Sequence, residues 1–339
     1  MDSFGSGFYQ IGCASCKIDL PKFSQWVILS LLDRKSVAPQ YFVDPPHFLL
    51  LFVYRLAALK SWPAIERRQT VTATIIDLDA YLQRIHWSGD RDPTLETLAG
   101  LIEAHTAHIP FENLDILLGR TVRLDLDGLQ AKIVGAGRGG YCFEHATLFA
   151  AVLEALGFQL ARHAARVVLF GPLAEAKRDH MFMTVVVDGA TYVVDPGFGP
   201  FAPRFPVPLE DSPAGQTTHW MQRDGNFWVL HVTREDRQPV AGWASTLEVE
   251  NPLDFEVFNH YIATHPKSPF VNWIFLSKVI PGGRVNVMNR NVTFLHDADG
   301  STTMELADRT ALRGLLAEHF GFDLPEVERL AVPAIPEWT

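Results

Sequence analysis

The fold is decided by the stretch Gly135–Phe158, GAGRGGYCFEHATLFAAVLEALGF. Four glycines in six residues lead into Cys142, and an apolar helical pattern then runs to Leu156 and closes at Gly157. The spacing predicts a helix that starts at the cysteine. A helix N-terminus carries roughly half a positive charge and unpaired N–H groups. Both favour a thiolate, the reactive form of a thiol whose free pKa is about 8.5. Gly139 and Gly140 have no Cβ to block a reactant, and the N–H of Cys142 is placed to face a developing oxyanion. Position alone does not make a nucleophile, because most free cysteines are small buried hydrophobes.

Upstream of this stretch the text is helical. "DLDAYLQRI" (77–85), "DPTLETLAGLIEAHTAHI" (92–109) and "LDGLQAKIV" (126–134) space their apolar residues at three and four. After Phe158 the period changes. "ARHAARVVLF" (161–170), "MFMTVVV" (181–187), "TYVVD" (191–195), "FWVLHVT" (227–233) and "STLEVE" (245–250) are short and β-branched or aromatic. Turn residues such as Asp188-Gly189 and Asp224-Gly225-Asn226 divide them. These runs predict an antiparallel β-barrel or sandwich. A helix near 253–264, strands near 273–295 and a helix over 310–320 follow. The Pro-rich stretch 200–222 reads as a loop near the pocket mouth. The expected plan is α+β: a helical bundle over 76–160 bearing the cysteine, a barrel over 161–252 and a mixed C-terminal unit over 253–339. Residues 1–75 carry five prolines and no sustained period. They read as an unassigned extension upstream of the native start, with a small regulatory segment as the alternative.

The hairpin supplies partners for the thiol. Asp188-Gly189 is a tight-turn signal, so 181–187 and 191–195 should pair. His180 and Asp195 then both fall at the open end, within about two residues of register. Neutral His deprotonates a thiol, and Asp fixes its tautomer and stabilises the imidazolium. A Cys142–His180–Asp195 set is the design of an acyl-transferring thiol. Gly135-x-Gly137-x-x-Gly140 matches a dinucleotide fingerprint, but a helical segment rather than a strand precedes it, and Glu154 lies within the next helix.

Four ordered segments resemble the arylamine N-acetyltransferases: "IPFENLDILLGR" (109–120), "RGGYCFEH" (138–145), "DHMFMTVVV" (179–187) and "YVVDPGFG" (192–199). The resemblance runs from about Asp77 to the C-terminus and omits residues 1–75. It implies a helical bundle, a β-barrel and a C-terminal α/β lid around a papain-like Cys-His-Asp core. It also implies Cys142 as nucleophile, His180 as base and Asp195 as orienting acid. Phe111, Gly197, Phe198 and Gly199 would line the substrate and coenzyme A pocket, and Arg138 would pair with Glu112 beneath the nucleophile's turn. Acetyl-CoA is the implied co-substrate and a small aromatic amine or hydrazine the implied acceptor, by ping-pong transfer and with no metal. Many members carry Asn four residues after the nucleophile, where this chain has Ala146. A macrolactam-forming amide synthase and an idle ligand-binding protein are the rival readings.

Composition bounds the rest. The chain has 339 residues, is 47% hydrophobic and 20% charged, and carries a net charge of −10. That balance argues for a globular protein and against a nucleic-acid partner. The greasiest run, Phe48–Leu59, holds Arg55 and falls short of the roughly 20 apolar residues a bilayer span needs. No membrane association is expected. Cys13, Cys16 and Cys142 are too few for a disulfide framework, which fits a cytoplasmic location. Cys13-Ala-Ser-Cys16 has redox or metal spacing, without a second pair to complete a zinc site.

Overall fold

In the chain's structure, a computed structural model, residues 75–213, 217–234, 238–297 and 300–338 are described. The readings made on 1–74, including the Cys13–Cys16 pair, lie outside the described residues.

The helical part begins with α1 (Leu78–Arg84) and α2 (Leu95–His108). Asp77 Oδ1 caps α1 by accepting the Ala80 N–H at 3.0 Å, and Thr94 Oγ1 caps α2 from Thr97 N–H at 3.2 Å. A two-residue strand, β1 (Phe111–Glu112), follows, then α3 (Leu114–Leu117) and α4 (Leu126–Leu129). The expected helix over 126–134 continues past α4 as a wider π turn, Gln130–Gly135. Helix α5 (Cys142–Ala155) starts at the cysteine, as its spacing predicts, and Gly157 behind it takes φ +87°, where a side chain would be strained.

A seven-stranded sheet follows. Its strands are β2 (Gln159–Val167), β3 (Arg178–Val187), β4 (Ala190–Val194), β5 (Val207–Pro208), β6 (His219–Asp224), β7 (Phe227–Thr233) and β8 (Pro239–Ser245). Their spatial order is β5-β4-β3-β2-β8-β7-β6, and edges β5 and β6 approach each other, nearly closing a barrel. Asp188 and Gly189 both take positive φ, so the β3–β4 hairpin turns on two residues with Val187 opposite Ala190. Two expectations change here. The last strand is Pro239–Ser245 rather than 245–250, because Trp243 and Ala244 bury against the barrel while Leu247 leaves the ladder at φ +58°. The stretch 200–222 is a loop only in part, since it contains β5 and the start of β6.

The C-terminal part holds α6 (Pro252–Thr264), α7 (Pro269–Asn272), strands β9 (Phe275–Ile280), β10 (Gly283–Met288), β11 (Asn291–His296) and β12 (Gly300–Glu305), and helix α8 (Arg309–Leu315) with a π turn to Phe320. These strands form a second antiparallel sheet, ordered β1-β9-β10-β11-β12. Its edge strand β1 comes from the helical part, with Phe111 opposite Ser277. Among the described residues there are three apolar clusters: α1, α2 and α5 against β3; the barrel interior around Phe182 and Trp243; and the second sheet against α8 and the segment 322–338. Phe182 and Trp243 stack at 4.1 Å between centroids. Full burial of one such side chain contributes roughly 1.5–3 kcal/mol. Among the described residues, no helix is long and apolar enough to cross a membrane.

Candidate active site

The start of α5 is fixed by close backbone approach. A Cβ on Gly139 would stand 1.9 Å from the Pro110 carbonyl oxygen, and one on Gly140 2.8 Å from Glu144 Cβ. Neither glycine has positive φ; that conformation falls on Gly137, at +66°. The missing Cβ atoms let Glu112 N–H reach Gly140 O at 2.8 Å and Gly140 N–H reach Pro110 O at 3.2 Å. Glu144, in the first turn, accepts the Tyr141 N–H at 3.0 Å and so caps the helix that begins with Cys142.

A buried charge cluster braces this turn. Arg138 Nε and Nη2 donate to Glu112 Oε1 at 3.0 and 2.6 Å, the pairing expected for these two residues. Lys132 Nζ lies 2.8 Å from both Asp115 Oδ2 and Glu144 Oε1. Burial would raise the Asp115 carboxyl, but Lys132 and Arg138 outweigh it and hold it down at about 2. Burial pushes Glu144 up, with Lys132 only partly offsetting it.

The thiol is buried. Its Sγ lies 3.9 Å from Asp179 O. Burial pushes the thiol well up, and the carboxylates of Asp179 and Asp195 push the same way. Backbone N–H groups of Phe143 and Met181 act in the opposite sense, favouring an anion. Asp179 and Met181 bracket His180 in the chain, so this segment of β3 lies along the sulfur.

His180 and Asp195 meet as the hairpin predicts. His180 Nε2 lies 2.7 Å from Asp195 Oδ2, with both groups buried. An ionised carboxylate only accepts, so Nε2 carries the proton and Nδ1 is the nitrogen left for another partner. Trp243 Nε1–H donates to the same Asp195 oxygen at 2.9 Å. Trp243 was not among the expected site residues because its strand is not legible in the β-branched pattern.

The expected pocket residues divide into two groups. Phe111 and Gly199 line a small cavity with Ile109, His145, Pro196 and Ser277. Gly199, at φ +57°, passes close to the Phe111 ring. Gly197 instead backs the nucleophile, since a Cβ there would stand 2.9 Å from Cys142 Cα. Phe198 is buried behind the imidazole, its ring 4.9 Å from that of His180. His145 was also missed, although its place three residues after Cys142 puts it on the same helix face. Ala146 is fully buried in the helical core. Among the described residues, no group of three or more His, Cys, Asp or Glu is arranged to hold a metal ion.

The sequence matches the family model described as N-acetyltransferase over residues 94–329. The arylamine N-acetyltransferase of Mycobacterium tuberculosis is 36% identical over 262 residues, covering 74% of this chain and 91% of the relative. The Salmonella typhimurium arylamine N-acetyltransferase / N-hydroxyarylamine O-acetyltransferase is 32% identical over 259 residues, with 74% and 90% covered. Among solved structures, the Mycobacterium marinum arylamine N-acetyltransferase superposes with a TM-score of 0.70 at 34% identity, covering 74% of this chain and 94% of that one. Its complex with CoA gives 0.69 at the same identity and coverage. Alike in ordered motifs, in fold and over nearly the whole length of these relatives, the chain belongs to the arylamine N-acetyltransferase family of acyltransferases.

Proposed function

We propose that the chain transfers acetyl from acetyl-CoA, through a thioester on Cys142, to an arylamine, arylhydrazine or N-hydroxyarylamine. The observation that carries this reading is the His180–Asp195 hydrogen bond of 2.7 Å on the strand that runs along the Cys142 sulfur. The relatives' names and the CoA-bound neighbour agree with acetyl-CoA as donor and an arylamine as acceptor.

The proton inventory sets the mechanism. Burial holds the thiol protonated when it stands alone, so the reactive anion forms as a pair with the imidazolium. Nδ1 of His180 takes the thiol proton while Asp195 holds the Nε2 proton. Cys142 Sγ attacks the thioester carbonyl of acetyl-CoA, and the carbonyl oxygen gathers charge in front of the helix N-terminus. The tetrahedral adduct collapses, the carbon–sulfur bond to CoA breaks, and His180 returns its proton to the departing thiolate. An acceptor amine then attacks the acetyl-Cys142 carbonyl. His180 takes up the amine proton and passes it to the Cys142 sulfur as amide product leaves. Phe111 supplies an aromatic face for the acceptor. Roles for Gly197 and Phe198 as support for Cys142 and His180, rather than as pocket lining, are part of this proposal.

Initial rates measured over a grid of acetyl-CoA and aniline concentrations test it. Parallel double-reciprocal lines are expected, with transfer abolished in Cys142→Ala of unchanged fold. Intersecting lines, or near-normal turnover by that variant, would overturn it.

A further inference from the structure

Three buried polar side chains outside the Cys142–His180–Asp195 set lie end to end. Tyr81 on α1, His105 on α2 and His145 on α5 are all at most 1% exposed. Tyr81 Oη lies 2.7 Å from His105 Nδ1. His105 Nε2 lies 2.7 Å from His145 Nδ1, and His145 Nε2 lies 3.2 Å from the Pro110 carbonyl oxygen.

The far end of this chain sets its direction. A backbone carbonyl only accepts, so His145 Nε2 must carry hydrogen. Burial holds both rings neutral: His145 is pulled down to about 4, with the Pro110 and Gly140 carbonyls only partly offsetting it, and burial takes His105 well below the usual range. Each ring therefore holds one proton. His145 Nδ1 accepts, His105 Nε2 donates, His105 Nδ1 accepts, and the Tyr81 hydroxyl donates at the head. Reversing both rings together would turn a lone pair of His145 on the Pro110 carbonyl. Reversing one would set two lone pairs or two protons face to face.

The carbonyl at the foot belongs to the site. Pro110 O also accepts the Gly140 N–H at 3.2 Å, two residues before Cys142. Phe111 follows Pro110, and its ring lies nearly parallel to that of His145, at 15° and 6.3 Å. Both rings line the small cavity beside Gly199 and Ser277.

We propose that Tyr81, His105 and His145 form a one-way positioning relay, which locks His145 in the Nε2–H tautomer and thereby holds the Phe111 wall against the Gly140–Cys142 turn. His145 touches the cavity. Tyr81 and His105 act only through it and are positioning residues. The role in turnover rests on the acyl-transfer reading above; the tautomer does not. A purely structural trio would satisfy three core groups and leave the acyl-transfer step indifferent to the order of donors and acceptors.

The test compares His105→Gln with His105→Leu in the full chain. A Gln amide accepts from Tyr81 through its oxygen and donates to His145 through its nitrogen, so it preserves the direction. Leu fills similar space and breaks it. In His105→Leu, kcat with acetyl-CoA and aniline should fall at least about tenfold while KM for acetyl-CoA stays near wild type, since an ångström of misplacement costs on the order of a hundredfold. His105→Gln should recover most of that rate. Nitrogen-15 NMR of the wild-type imidazoles should show His145 solely as the Nε2–H tautomer, and His105→Leu should shift that signal. A wild-type Nδ1–H tautomer would overturn the relay, as would equal impairment in both variants or none in either. If His105→Leu does not fold, the wild-type tautomer and the rate of His105→Gln decide alone. If wild type itself never acetylates Cys142, the acyl-transfer reading fails while the tautomer measurement still stands.

Discussion

Replacing Arg138 by Met removes the guanidinium from Glu112 and keeps most of the apolar stem that packs below the nucleophile's turn. Glu112 is fully buried and Arg138 only 6% exposed. After the change, Glu112 keeps the Leu114 N–H at 2.8 Å and the Lys132 ammonium at 3.8 Å. The ion-paired cluster sets four carboxylates, Glu112, Asp115, Glu144 and Glu326, against three cations, Lys132, Arg138 and Arg120, a formal charge of four negative less three positive, or −1. Arg138→Met makes it −2, with Glu112 left fully buried. Removing one partner of a buried pair costs about 3–5 kcal/mol, and Lys132 keeps the expected loss near the lower figure. Urea unfolding at pH 7 measures it as a lower midpoint at unchanged slope. The double variant Arg138→Met/Glu112→Gln should recover most of the loss, because a neutral amide oxygen still accepts the Leu114 N–H. A single-variant loss below about 1 kcal/mol, the size of an exposed pair, would refute the reasoning. So would a double variant as unstable as the single one.

Trp243→Phe removes one donor from the Asp195 carboxylate and keeps an aromatic ring against Phe182. A hydrogen bond to a charged group is worth about 1.5–3 kcal/mol, so acetylation of Cys142 should slow roughly tenfold to a hundredfold in stopped-flow assays; an unchanged rate would contradict the role given to the indole. Gly139→Ala and Gly283→Ala both drive a Cβ to under 2 Å from a backbone oxygen, at 1.9 Å from Pro110 O and 1.8 Å from Leu295 O. Both should lower Tm, but only Gly139→Ala should lower kcat per folded molecule; equal kcat losses would detach Gly139 from the site. Acid sensitivity has a defined sign as well. Below pH 6.5 the unfolded chain protonates His145, whereas the folded ring, held at about 4, stays neutral, so stability falls over that window. Between pH 7 and pH 4.5 this loss is about 2 kcal/mol, which His145→Gln should remove from the difference between those two pH values; an identical pH slope in the variant would refute it.

The α5 start and the β3–β4 hairpin were legible because each rests on local chemistry: a glycine turn before an apolar period, and Asp188-Gly189 between two β-branched runs. Those two local signals suffice to bring His180 to Asp195. Strand β8 escaped because Pro239 and Gly242 break its pattern, and Trp243 went with it. Strand β1 escaped because two residues have no period, and its partner β9 lies far along the chain. Tyr81, His105 and His145 sit on three helices whose packing no spacing specifies, so only the folded chain shows that they touch. Phe198 illustrates a different limit. Its motif implied a pocket wall; what the motif could not show is that the ring also packs against His180, where Gly242 makes room for it.

The central claim is that acetyl passes through the Cys142 sulfur. Peptide mass spectrometry after brief mixing with acetyl-CoA, quenched in acid and without acceptor, tests it most directly. One acetyl group on the peptide carrying Cys142, lost on adding aniline and absent in His180→Gln, is the predicted result. Acetylated aniline formed while that peptide stays unmodified at every time point would contradict the account.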